Sequence, residues 1–166
     1  VAEWYHNLTP VQNQVKILRE ICSYIQDQGE LKGGHPQIYY SVENNTLGEA
    51  ALVAINEMGE ESIPGMFLSE PIKKGHVRRF RRGFNTTHKT KITACMRLKN
   101  YVESDKMTIY SHNLLRELKN FIARGTSFAA KDGETDDLVM SMLLNKFGSF
   151  RLSQKLQYKH YKGIER

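Results

Sequence analysis

Apolar residues recur along this chain at two spacings, and the elements they predict alternate between strands and helices. Residues 1–6, VAEWYH, mix β-formers with polar residues and predict a strand. Thr9 and Pro10 predict a helix start, because Thr caps helices and Pro is tolerated in the first turn. Apolar residues at helical spacing follow at Val11, Val15, Leu18, Cys22 and Ile25. We expect Gly29, Gly33 and Gly34 to close this helix.

The next stretch has the order strand, polar turn, helix. Ile38 to Val42 is rich in β-formers and predicts a buried strand, which ends in the polar residues 43–46. Leu47 to Met58 is alanine-rich and predicts a helix, and Gly65 to Leu68 predicts another short strand. This order is typical of the crossover unit of an α/β sheet.

The second half continues the alternation of elements. The predicted elements are a surface loop or hairpin over 73–91, a helix Lys89–Val102, a strand Met107–Tyr110, a helix His112–Ala123 ended by Arg124 and Gly125, an edge strand Thr126–Ala130, and a helix Asp136–Phe147 capped by Thr135. Residues 151–166 form a basic tail. We expect one α/β domain over 1–166, with a mixed sheet flanked by helices.

Composition and charge narrow the class of protein. The length of 166 residues fits a single core, and the 40% of hydrophobic residues is ordinary for a globular chain. No apolar run approaches the roughly 18 residues needed to cross a bilayer, so we expect no membrane contact. Cys22 and Cys95 are predicted to be buried free thiols, since they are far apart in the sequence, no other cysteine accompanies them, and free Cys is among the most buried residue types.

Three acidic residues stand where ligand sites form in α/β folds. Glu43 ends the predicted strand, and Asp136 and Asp137 open the last predicted helix. Carboxylates from separate elements can hold the divalent cations that drive phosphodiester cleavage. A structural explanation is equally available, because Asp in the first turn of a helix is stabilised by the helix dipole and Glu43 can be a polar strand end.

The net charge of +6 is concentrated between residues 73 and 91. The candidate phosphate contacts in this stretch are Lys73, Lys74, Arg78, Arg79, Arg81, Arg82, Lys89 and Lys91. Such a segment attracts a polyanion, and phosphate contacts give affinity without sequence preference. The alternatives are a solvated loop that maintains solubility and a contact with another protein.

Two motifs, in order, resemble those of phage terminase large subunits. Residues 125–141, GTSFAAKDGETDDLVMS, resemble the C-terminal acidic motif, in which a glycine-containing segment leads to an Asp-Asp pair that opens a helix. Residues 38–46, IYYSVENNT, resemble the middle motif, a strand that ends in an acidic residue followed by Asn. The stretch 89–111 resembles the helix and strand between them, and the likeness is greatest to the subunits of myoviruses.

This resemblance implies a ribonuclease H-like nuclease that cuts concatemeric viral DNA during genome packaging. Three acidic positions in that family bind Mg²⁺ or Mn²⁺, with two ions in the complete site. Glu43 matches the second position, and Asp136 or Asp137 matches the third, with Asp137 slightly favoured. The first is an Asp on the opening strand of the sheet, and no residue here matches it. We therefore expect the natural protein to have further residues on the N-terminal side of Val1.

The resemblance also implies partners and a location. The expected partners are double-stranded DNA, the portal protein, the small terminase subunit and an ATPase domain of the same polypeptide, whose G-x-x-x-x-G-K-[ST] motif does not occur in this sequence. The expected location is the host cytoplasm, transiently at the capsid portal. Two other functions stay open: a DNA-binding or docking module without catalysis, and a recombination nuclease of the same fold, such as a Holliday junction resolvase.

Overall fold

A computed structural model describes residues 3–74 and 77–145, apart from the side chains of 71–80. The chain divides into two compact units, Val1–Asn85 and Thr86–Arg166. Each unit combines helices with small sheets, as an α/β protein does. None of the helices in the described ranges is long and apolar enough to span a membrane.

The first unit contains two helices and two pairs of strands. Its elements are α1 (Val11–Leu31), β1 (Tyr39–Tyr40), α2 (Thr46–Met58), a 3₁₀ turn (Glu60–Ser62), β2 (Met66–Phe67), β3 (Ser69–Lys74) and β4 (Val77–Arg82). β1 and β2 are parallel, with Tyr39 opposite Met66. β3 and β4 are antiparallel, with Lys73 opposite Arg78. Of the two structures expected for the basic segment, a surface loop or a hairpin, the hairpin is the one formed.

The core of the first unit lies where α1 and α2 pack together over β1. Its buried residues are Val15, Cys22, Tyr40, Ala54, Ile55 and Ile63. Val15 and Cys22 come from the apolar face predicted for α1, so the helical spacing identified the buried face correctly. Burial raises the pKa of the Cys22 thiol, which keeps it protonated. Both cysteines are free, as predicted, but Cys95 is half-buried and not fully buried.

The second unit has its own core. Its elements are α3 (His88–Glu103), α4 (His112–Asn120), β5 (Phe121–Arg124), β6 (Ser127–Ala130) and α5, described over 137–145. Ala94 and Leu98 of α3, Leu114 of α4, and Val139 and Leu143 of α5 form the buried cluster. β5 and β6 make an antiparallel hairpin around Gly125, whose φ of 57° suits the turn.

Two predicted strands are not formed in the described part of the chain. Residues 3–6 carry no ladder hydrogen bonds, and the ring of His6 bonds instead to the Thr9 hydroxyl at 2.8 Å. Met107 to Tyr110 alternates between half-buried and exposed side chains as a strand would, but it pairs with no strand of the described chain. Met107 and Ile109 pack on the core of the second unit, so the alternation reflects burial without sheet formation.

One helix boundary differs from the prediction by more than two residues, and the other boundaries within the described residues agree to within two. α4 ends at Asn120, because Phe121–Arg124 pairs with Ser127–Ala130 instead of continuing the helix to Ala123. Thr9 does not cap α1, whose N-cap is Pro10. The end of the last predicted helix beyond 145, residues 1–2 and the basic tail 151–166 lie outside the described residues.

Candidate functional site

Glu43 stands at the point where the chain leaves β1 and turns into α2. It forms a parallel bridge with Phe84, a buried residue that follows β4. The amide of Phe84 donates to the Val42 carbonyl at 3.0 Å, and the amide of Asn44 donates to the Phe84 carbonyl at 2.6 Å. The backbone on either side of Glu43 is therefore fixed by hydrogen bonds, and its side chain is half-buried.

The side chain of Asn45 orients Glu43 and caps α2 at the same time. Its Oδ1 accepts a hydrogen bond from the Gly48 amide at 2.9 Å, which is the usual N-cap bond. Its Nδ2 donates to Glu43 Oε2 at 3.1 Å. Gly48 completes this turn, because a Cβ at that position would overlap the backbone carbonyl oxygen of Glu43. The capping geometry therefore fixes the orientation of one carboxylate oxygen.

Asp136 and Asp137 lie at the start of α5, as predicted. The Met140 amide donates to the Asp136 carbonyl at 2.8 Å, so Asp136 is the N-cap residue and Asp137 begins the helix. The Asp136 carboxylate lies 3.5 Å from the ammonium of Lys91 on α3. Asp137 is exposed. The two adjacent carboxylates are thus in different surroundings, one paired and half-buried and the other open to solvent.

Glu117 of α4, which the sequence analysis did not single out, supplies the hydrogen bonds at the start of α5. Its Oε2 accepts from the amides of Leu138 at 2.8 Å and Val139 at 3.0 Å. Its Oε1 accepts from the Thr135 hydroxyl at 3.1 Å. The prediction that Thr135 caps α5 was therefore wrong, because Thr135 only helps to hold Glu117, whose side chain caps the helix. Glu117 lies three residues after the buried Leu114, on the apolar face of α4, and this spacing was the sequence signal that could have identified it.

Glu117 is also the one charged residue that is buried among the described residues, with 7% exposed. A buried carboxylate is unfavourable unless hydrogen bonds replace its lost hydration. Two backbone amides at a helix N-terminus and a hydroxyl provide that replacement, and the helix dipole adds to it. The sequence pattern of α4 marks the residue as facing the core, but only the folded chain shows the donors that it meets.

The predicted DNA-binding residues have diverse surroundings. Arg82 pairs with Glu60 and lies over the ring of Phe67, 5.1 Å from its centroid. Lys91 lies 5.4 Å from the centroid of Phe121 in addition to its contact with Asp136. Arg81 and Lys89 are exposed. The side chains of Lys73, Lys74, Arg78 and Arg79 lie outside the description, although their backbones belong to the β3–β4 hairpin.

The predicted metal ligands are distributed over both units. Glu43 belongs to the first unit, and Asp136 and Asp137 belong to the second, where adjacency in the chain brings them together. Within 3–74 and 77–145, no group of three or more His, Cys, Asp or Glu side chains is arranged to hold a metal ion. The donor type nevertheless suits Mg²⁺ or Mn²⁺, which prefer carboxylate oxygen.

No model of a known protein family matches this chain. The chemistry that this chain offers lies in the carboxylates at the start of α2 and α5, the side chains that contact them, and the basic β-hairpin.

Proposed function

We propose that this chain is the nuclease domain of a tailed-phage terminase large subunit, a metal-dependent DNA endonuclease of ribonuclease H-like fold. Glu43 and Asp136 support this proposal, because neither carboxylate caps the helix beside it. Asn45 caps α2, and Glu117 caps α5. The structural explanation for Asp136 and Asp137 was stabilisation by the helix dipole, which still applies at the start of α5. Capping hydrogen bonds from the Asp136 side chain do not add to it, because Glu117 accepts from those amides.

Glu43, Asp136 and Asp137 are the residues that we propose to hold Mg²⁺ or Mn²⁺, together with the family's first Asp. Divalent cations bound in this way activate a water molecule and stabilise the leaving oxygen of a phosphodiester. Asn45 fixes one oxygen of Glu43 through the 3.1 Å hydrogen bond. Lys91 balances the negative charge at Asp136 when no cation is bound. Asp137 is the more accessible of the two aspartates, in keeping with its role as the favoured direct ligand.

The β3–β4 hairpin is the proposed DNA contact. Antiparallel pairing aligns Lys73 with Arg78, and Ile72 with Arg79, so the basic positions of both strands occupy one short ribbon. Contacts from such a ribbon to phosphates would bind double-stranded DNA regardless of sequence. The portal protein, the small terminase subunit and the ATPase domain of the same polypeptide complete the proposed set of partners, in the host cytoplasm and transiently at the capsid portal.

Plasmid nicking by the full-length protein tests the proposal. With Mg²⁺ or Mn²⁺, we expect the protein to convert supercoiled plasmid to open-circular and linear forms. Glu43→Gln and Asp137→Asn should each abolish cutting without changing the melting temperature. Glu57→Gln is the matched control, because Glu57 is an exposed carboxylate on α2 and should not affect cutting. Full cutting by Glu43→Gln and Asp137→Asn would overturn the metal role of both residues.

The basic hairpin favours a second candidate function, a DNA-binding or docking module without catalysis. In that case, reversing the charge of Arg81 and Lys89, both exposed, would weaken DNA binding while the carboxylate variants behave as wild type. The remaining function, a recombination nuclease of the same fold, is tested by comparing the cutting of branched DNA with the cutting of linear DNA. A marked preference for four-way junctions would indicate a resolvase of the same fold.

A further inference from the structure

The start of α5 is capped differently from those of the three helices before it. In α2, α3 and α4, the side chain of the N-cap residue itself accepts a hydrogen bond from the third helical amide. The pairs are Asn45 with Gly48, Thr87 with Thr90, and Ser111 with Leu114. In α5 the N-cap residue is Asp136, which is among the best residue types for this role. Its helix is nevertheless capped by Glu117, which lies 19 positions earlier in the chain.

Glu117 occupies the donors that Asp136 would otherwise use. The second and third amides of α5 are those of Leu138 and Val139, and both donate to Glu117 Oε2. An Asp side chain at the N-cap normally accepts from these two amides. The Asp136 carboxylate instead lies 3.5 Å from Lys91 Nζ, with 27% of its side chain exposed. The carboxylate is therefore free of the helix that it begins.

We propose that Glu117 is a positioning residue that caps α5 in place of Asp136 and so keeps the Asp136 carboxylate available to a cation. The part of this proposal in which Asp136 binds a cation rests on the proposed nuclease function. The part in which Glu117 replaces Asp136 as the cap of α5 does not. Without Glu117, the Asp136 side chain would turn back to accept from Leu138 and Val139. Asp136 would then stabilise the helix but would no longer face Lys91 or a metal ion.

A double-mutant cycle, measured by the melting temperature, tests whether Glu117 caps α5 in place of Asp136. Asp136→Ala alone should change the melting temperature by no more than about 1 °C, because Asp136 does not cap α5 in the wild-type chain. In the Glu117→Leu background, where both acceptor oxygens are removed, Asp136→Ala should lower it by a further amount of about 2–4 °C, which corresponds to the loss of one N-cap in a domain of this size. Equal effects of Asp136→Ala in both backgrounds would overturn the proposal.

Amide hydrogen exchange provides a second test in case Glu117→Leu does not fold. In Asp136→Ala, with Glu117 intact, the Leu138 and Val139 amides should exchange at the wild-type rate to within about twofold. Exchange about tenfold faster would show that Asp136 caps α5 and would overturn the proposal, since the loss of one N-cap corresponds to nearly that factor.

Titration with Mn²⁺ alone tests the availability of Asp136. Glu117→Leu should weaken Mn²⁺ binding by about tenfold, as removal of groups that orient metal ligands commonly does. Glu57→Leu is the control and should bind Mn²⁺ like the wild type. Unchanged Mn²⁺ affinity in Glu117→Leu would overturn the positioning role even if the thermal cycle succeeds. A wild-type chain that binds no Mn²⁺ would instead overturn the proposed nuclease function, and the cycle would still decide which residue caps α5.

Discussion

The ammonium of Lys91 lies 3.5 Å from the carboxylate of Asp136, with 18% and 27% of the two side chains exposed. Lys91 was predicted to contact DNA phosphate, and it also lies over the ring of Phe121. This position is the basis of a second proposed role for Lys91, because it places a positive charge beside a proposed metal ligand. Lys91 and a divalent cation would compete for the same oxygens.

Removal of this charge should strengthen metal binding. Lys91→Met keeps the aliphatic packing and removes the ammonium, so we expect the Mn²⁺ dissociation constant to fall by about tenfold, since a unit charge at this distance acts on each charge of the cation. Lys89→Met is the control, since Lys89 is exposed near the start of the same helix. Isothermal titration measures both. Unchanged affinity in Lys91→Met, with a flatter salt dependence of DNA binding, would instead support the phosphate contact.

Replacement of Asn45 by Asp should separate helix capping from the orientation of Glu43. Asp caps helices as well as Asn, so the free energy of unfolding should stay within about 0.5 kcal/mol of the wild-type value. Its second oxygen cannot donate to Glu43 and adds a like charge where the 3.1 Å hydrogen bond was. We therefore expect plasmid nicking to fall by at least about tenfold, with urea denaturation as the measure of stability. Wild-type nicking by Asn45→Asp would rule out this role.

Gly48→Ala should destabilise the protein although alanine favours helices. A Cβ would overlap the Glu43 carbonyl oxygen, and the resulting displacement should lower the free energy of unfolding by about 1–3 kcal/mol. Helix propensity alone predicts the opposite, a gain of up to about 1 kcal/mol. Urea denaturation distinguishes the two. The reverse change at a neighbouring exposed position, Ala50→Gly, is the control and should follow propensity.

Stability should fall in alkaline solution because of Tyr40. Burial, with help from the nearby charge of Glu60, raises the pKa of Tyr40 to about 12 from 10.0, and Arg82 opposes part of this shift. The folded chain therefore holds the phenolic proton more tightly than the unfolded chain. This contribution is complete below pH 10 and is lost as the pH rises through 12, at about 1.4 kcal/mol for each pH unit.

Unfolding by urea at several pH values between 9 and 12 measures this loss. Tyr40→Phe should have a shallower decline over that range, because it has no phenol to ionise. Tyr24→Phe is the control, since Tyr24 is exposed on α1. A decline as steep in Tyr40→Phe as in the wild type would assign the effect to other groups.

Most helices could be predicted from the sequence, because the signals that start and end them are local. The polar turn before α2 and Gly59 after it lie next to the helix that they delimit. The strand predicted at Met107–Tyr110 was wrong, although its side chains alternate between half-buried and exposed. A strand also needs a partner, and the pairing of strands depends on distant parts of the chain.

The acidic positions show the same division between local and distant causes. The sequence by itself determined that Glu43 follows a strand and that Asp136 and Asp137 open a helix, since both features depend on neighbouring residues. Only the tertiary structure decided which groups those carboxylates contact. Whether Asp136 caps its helix depends on Glu117 and Lys91, which reach it from two other helices through packing that no local pattern encodes.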